Sequence, residues 1–184
     1  MMDCPATFIL IALCVVIHIL QNRQVSYAYG EDMVSKFGLV PAQVRRGQYY
    51  RILTAAFLHA SWQHLLMNMI ALYNLGSFLE PRMGCLRYLL VLLVAVLGSG
   101  LLVTLHEKKD SVTVGLSGAI FGLLGAYIVL LYARGYLAYD SVRYSILRTL
   151  GINLIISLMP HVSLLGHTGG LLSGLLMGAL YYLL

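Results

Sequence analysis

The sequence predicts an all-α polytopic membrane protein, six transmembrane helices in a single domain, and three observations carry that prediction. Hydrophobic residues fill 60% of the 184 positions, charged residues fill only 10%, and the mean hydropathy is +0.84. A soluble domain carries about 25% charged residues, so a cytoplasmic enzyme, a disordered chain and a nucleic-acid binder are excluded. The apolar residues are gathered into runs, and since one bilayer span takes roughly 20 of them, about five or six spans with short loops can be built. The net charge of +5 comes from basic residues scattered between the runs, which suits loops beside anionic headgroups better than a polyanion site.

The first run, residues 5–20, is interrupted only by Thr7 and His18. It lacks a basic flank and a small-residue cleavage site, so a retained helix is expected in place of a processed signal peptide. Residues 21–52 form the longest polar stretch, with Arg23, Glu31, Asp32, Lys36, Arg45, Arg46 and Arg51 among Tyr27, Tyr29, Phe37, Tyr49 and Tyr50. That mixture predicts a folded interfacial loop with aromatic rings at headgroup level.

The second span is expected over 53–79, closed by the turn Glu80-Pro81-Arg82-Met83-Gly84, and the third over 88–105, closed by the charged turn His106-Glu107-Lys108-Lys109-Asp110. The fourth, 112–133, opens with Gly115-Leu116-Ser117-Gly118. The fifth, 144–159, stops at Pro160, and the sixth covers 166–184. Cys4, Cys14 and Cys85 have neither disulfide nor ligand spacing and read as small apolar fillers. Loop charge does not orient the chain. If the first helix starts in the cytoplasm, seven basic residues fall outside against five inside, and most of the outer ones belong to one folded loop.

Polar residues at membrane depth are costly and face partners or water. His64 and Asn68 lie one turn apart on one helix face; they could be interhelical glue or converging donors. Ser117 stands between Gly115 and Gly118, where missing side chains admit a backbone or a substrate. His167 sits in Gly166-His167-Thr168-Gly169-Gly170, ahead of the stripe Gly170, Gly174, Gly178, and Gly118, Gly122 and Gly125 give the fourth helix a similar stripe. Small-xxx-small faces pack closely, so joining the two stripes would bring hydroxyl and imidazole together. A neutral histidine can then activate the serine as a nucleophile, with the Ser117 backbone N–H, His64 and Asn68 as oxyanion donors. The seven carboxylates all read as loop or helix-edge residues. The expected catalytic set is therefore a Ser117-His167 dyad with the imidazole oriented by packing, and Phe121 is a candidate ring for it to stack on. No metal and no cofactor are expected.

These residues resemble the rhomboid intramembrane serine proteases over nearly the whole chain. The Gly-x-Ser-Gly motif is Gly115 to Gly118, the His-x-x-x-Asn motif is His64 to Asn68, and the histidine-glycine helix is His167, Gly170 and Gly174. Gly47-Gln48-Tyr49-Tyr50-Arg51 and Glu80-x-Arg82-x-Gly84 are lesser matches. The family's Trp-Arg pair is Tyr50-Arg51 here, and the residue before the histidine is Gly166 where alanine is common. The resemblance implies a six-helix bundle of the minimal prokaryotic type in a bacterial inner membrane. Its termini would be cytoplasmic and its active site open to the external side. A gate would lie near the second and fifth spans, with 159–166 as a cap. It also implies Ser117 as nucleophile, His167 as base and then acid, His64, Asn68 and the Ser117 N–H as oxyanion donors, and Gly115, Gly118, Phe121 and Gly170 as supporting residues. The substrates would be transmembrane proteins cut in or beside a span.

Three other readings compete. A catalytically inactive rhomboid-like chaperone or retrotranslocation factor would have lost the serine or the histidine, and both are present. A metal-handling protein could use His59, His64, His161 and His167, but HExxH spacing is missing. A transporter would need midplane charge that the runs lack.

Overall fold

The computed structural model describes residues 5–24, 32–158 and 162–182. Among them lie nine α-helices and no strand: α1 (Pro5–Gln24), α2 (Met33–Phe37), α3 (Pro41–Arg45), α4 (Tyr50–Thr54), α5 (Trp62–Met83), α6 (Cys85–His106), α7 (Ser117–Ala133), α8 (Asp140–Ser157) and α9 (Leu164–Tyr182). α1, α6 and α9 are long and apolar enough to cross a bilayer, and α7 is a shorter apolar helix. Of the interfacial stretch, residues 25–31 lie outside the described residues, and 32–52 fold into α2, α3 and the start of α4. Of the expected cap, 159–161 lie outside them too.

Several helix boundaries differ from the sequence expectation, and three of them have a local reason. The second long helix begins at Trp62, nine residues late, because residues 55–57 make a 3-10 turn and Ser61 adopts an extended conformation, its hydroxyl capping the N–H of His64 at 3.1 Å. It also runs on through Pro81 to Met83, and Gly84, at φ 81°, breaks the chain into α6. Glu80 is therefore a buried helical residue, 1% exposed, and not a loop charge. The fourth begins at Ser117, because the chain around Thr113 is held in an isolated bridge to Leu39 and Gly115, at φ 118°, then turns it into the helix. Leu39 and Thr113 exchange two backbone hydrogen bonds there, at 3.0 and 2.9 Å. β-branched Val112, Thr113 and Val114 suit such a segment.

The centre of the bundle is α9 packed against both α6 and α7. The approach is backbone to backbone. A Cβ on Gly170 would overlap the carbonyl of Gly118, one on Gly174 that of Gly122, and one on Gly125 would lie 2.5 Å from the carbonyl of Leu171. With little hydrophobic drive between helices in lipid, such close van der Waals contact supplies the adhesion. α1 packs on α5, while α8 stands at the edge and buries only Ser157. A cavity of about 290 Å³, lined by Leu75, Tyr127, Leu131, Ser145 and Thr149 among others, separates α8 from α5 and α7.

Candidate active site

The segment 112–116, bridged at Thr113 and turned at Gly115, delivers Ser117 to its position. The Gly115 N–H donates to the Ala55 carbonyl at 2.9 Å, and Gly115 takes φ 118°, a conformation open in practice only to glycine. Ser117 is the first helical residue of α7, so its N–H has no acceptor within the helix. His167 is the fourth residue of α9, one turn in rather than at its opening.

The glycine contacts between α7 and α9 place the Ser117 hydroxyl 2.9 Å from Nε2 of His167. The imidazole is 7% exposed and stacks on Phe121, with centroids 4.2 Å apart and planes 12° from parallel. Its other nitrogen, Nδ1, lies 2.6 Å from the hydroxyl of Ser157, at the end of α8. That contact escaped the sequence reading. A serine near a helix end usually bonds back to its own turn, and Ser157 does so, to the Asn153 carbonyl at 2.6 Å; nothing in the string marks its second partner.

His64 and Asn68 come to the same place from α5. A Cβ on Gly115 would stand 2.7 Å from Cε1 and 2.9 Å from Nε2 of His64, and 3.5 Å from Nδ2 of Asn68. Glycine at 115 therefore leaves room for both side chains within two residues of the serine. Asn68 is 6% exposed and its Nδ2 has no hydrogen-bond partner, a donor left unsatisfied close to Gly115. His64 is steadied by the ring of His59, centroids 5.2 Å apart, and His59 in turn neighbours His18, which packs on Trp62. His161 lies outside the described residues. Among those described, no group of three His, Cys, Asp or Glu is placed to hold a metal.

Two supports frame the site. Buried Arg51 donates to the carbonyls of Ser35 and Gly38 at 2.9 and 2.8 Å, and to Oε1 of Gln48 at 2.6 Å. It thereby folds the interfacial stretch against α4, while the Tyr50 hydroxyl reaches the Lys36 carbonyl at 3.3 Å. Glu107 accepts from Ser111, Thr113 and Ser163, fastening the approach to α9 onto the approach to α7. In the sequence Glu107 reads only as a turn charge.

The Rhomboid domain family model matches residues 46–183. The chain belongs to the rhomboid family. RHOMBOID-like protein 1 of Arabidopsis thaliana is 35% identical over 144 residues, covering 75% of this chain and 36% of its own length. In Bacillus subtilis, the rhomboid protein YdcA is 32% identical over 142 residues, covering 74% of this chain and 69% of its own length. The rhomboid protease GluP of the same organism is 29% identical over 177 residues, covering 91% and 33%. The chain thus spans well under half the length of most of these relatives. Family membership and the long apolar helices make this rhomboid an integral membrane protein.

Proposed function

We propose that this chain is an intramembrane serine endopeptidase that hydrolyses peptide bonds in or next to transmembrane segments of other membrane proteins. The observation that carries the reading is the 2.9 Å contact between the Ser117 hydroxyl and His167 Nε2, beside the unpartnered Nδ2 of Asn68. Ser117 Oγ attacks the scissile carbonyl carbon while its proton passes to Nε2 of His167. The tetrahedral oxyanion is stabilised by the Ser117 N–H and the side chains of His64 and Asn68. The C–N bond then breaks, the proton on Nε2 moves to the leaving nitrogen, and an acyl-enzyme remains. Water repeats the sequence, giving its proton to Nε2, and the acid and the free serine are released.

Six helices, α1 and α5 to α9, would cross the membrane as one rhomboid domain. Both termini would lie in the cytoplasm of a bacterial cell and the site would open to the external side. Intact Ser117 and His167 argue against an inactive chaperone of the same fold. Purified in detergent, the protein is expected to cleave a single-span substrate and to label with a fluorophosphonate, and Ser117→Ala is expected to abolish both. Undiminished cleavage by that variant would overturn the dyad, and a requirement for added zinc would favour metal chemistry.

A further inference from the structure

The dyad has no carboxylate to hold its imidazole, yet Nδ1 of His167 is not without a partner. The Ser157 hydroxyl, 4% exposed, lies 2.6 Å from it and equally 2.6 Å from the Asn153 carbonyl. A hydroxyl carries one hydrogen, and a carbonyl can only accept. When the Ser157 hydrogen goes to the Asn153 carbonyl, its oxygen is left as acceptor and Nδ1 must be the donor. A neutral imidazole with its hydrogen on Nδ1 has its lone pair on Nε2, the nitrogen facing Ser117. The opposite tautomer would direct N–H against the serine and could take no proton from it.

We propose that Ser157 is a positioning residue for the reaction, its hydroxyl accepting from Nδ1–H of His167 and keeping Nε2 as the basic nitrogen. The proposal rests on the Ser117-His167 reading above. The same hydrogen bond persists when His167 carries both protons, because Nδ1 donates in either state, so the support is present before and after proton transfer. Phe121 fixes the plane of the ring, and Ser157 fixes its rotation within that plane, which stacking alone leaves free. Ser157 is also the sole buried residue of α8, which otherwise stands off from α5 and α7 across the cavity at its other end. The end of α8 is therefore seated on the catalytic base, and the base is correctly set only while that end stays in place.

The test compares wild type, Ser157→Ala, Ser157→Thr and Ser117→Ala in the full chain, with steady-state cleavage of a single-span substrate and the rate of fluorophosphonate labelling. Ser157→Ala is expected to lower kcat and the labelling rate together by about tenfold, the effect of losing one neutral hydrogen bond, with KM within about twofold. Ser157→Thr, which keeps the hydroxyl and its bond to Asn153, is expected to recover most of that loss. Full activity in Ser157→Ala would overturn the positioning role while leaving the dyad intact. Equal loss in the alanine and threonine variants would overturn it too. Persistent cleavage by Ser117→Ala would remove the reading on which it rests. Nitrogen-15 spectra of histidine-labelled wild type give a readout independent of variant folding. A neutral His167 with its hydrogen on Nδ1 is expected, and one with its hydrogen on Nε2 would overturn the proposal.

Discussion

Glu80, in the last turn of α5, caps the first turn of α1 through Thr7: its carboxylate accepts the Thr7 N–H at 2.9 Å and the Thr7 hydroxyl at 2.7 Å, and the neighbouring Ala6 N–H at 2.9 Å. Helix N-termini leave N–H groups without partners, and here a side chain 73 residues away satisfies two of them. Pro5 and Ala6 offer no capping side chain of their own, so the first helix takes its cap from another element. Glu80→Ala would strand the two buried N–H donors of Ala6 and Thr7, each worth about 1–3 kcal/mol when left unsatisfied, while the Thr7 hydroxyl keeps the Tyr88 hydroxyl as a partner at 3.0 Å. It should lower the thermal midpoint in detergent by on the order of 10 °C. Glu80→Gln, which retains one acceptor oxygen, should lose about half as much. Equal midpoints for wild type and alanine variant would show that α1 is seated by apolar contacts alone.

Glycine at 170 is a steric requirement. Adding one methyl group there collides with the Gly118 carbonyl, which cannot move without carrying α7 and Ser117 with it. Gly170→Ala should destabilise the fold by about 1–3 kcal/mol, the range for overpacking, and reduce kcat at least tenfold by parting the dyad. Gly151 is the control, since a Cβ there meets nothing within 4 Å. Gly151→Ala should leave both midpoint and kcat within error, and a matching loss there would refute the steric account.

Asn68 separates catalysis from stability. Its Nδ2 bonds to nothing in the resting protein, so Asn68→Ala removes no hydrogen bond from that nitrogen and should shift the thermal midpoint little. Losing one oxyanion donor typically costs about 10²- to 10³-fold in kcat, and that is the expected effect, with KM nearly unchanged. A variant that unfolds readily but turns over normally once folded would assign Asn68 to structure instead.

The plane of His167 is set by Phe121. Phe121→Ala should cost about 0.5–1.5 kcal/mol of ring contact, and should lower kcat several-fold through a looser imidazole. Phe121→Tyr, keeping the ring, should retain near-normal kcat. Identical kinetics for the alanine variant and wild type would leave the stack without a role.

The apolar runs and glycine stripes made the bundle legible, because hydropathy and small-residue spacing are properties of contiguous strings. The helix starts were harder. The run from Leu53 is apolar enough to read as one span, yet Ser61, three residues before His64, is an N-cap signal that places the start at Trp62. Ser117, His167, His64 and Asn68 could be singled out because polar groups and glycines are conspicuous among leucines, and Phe121 because it lies one turn from Ser117. Glu80 and Glu107 read as edge charges, since their partners lie far along the chain: Ala6 and Thr7 for one, Ser163 for the other. Ser157 gave no signal at all. A hydroxyl that bonds to its own helix and to a distant imidazole has the same local sequence as one that does only the first.

The glycine contacts also determine what can vary. Because α7 and α9 meet through main-chain atoms, the spacing of Ser117 and His167 is a backbone dimension, independent of the size of any side chain on the outer surface. Leu172 and Leu176 of α9 are exposed on that surface. They can be exchanged for other apolar residues without resetting the distance between hydroxyl and imidazole.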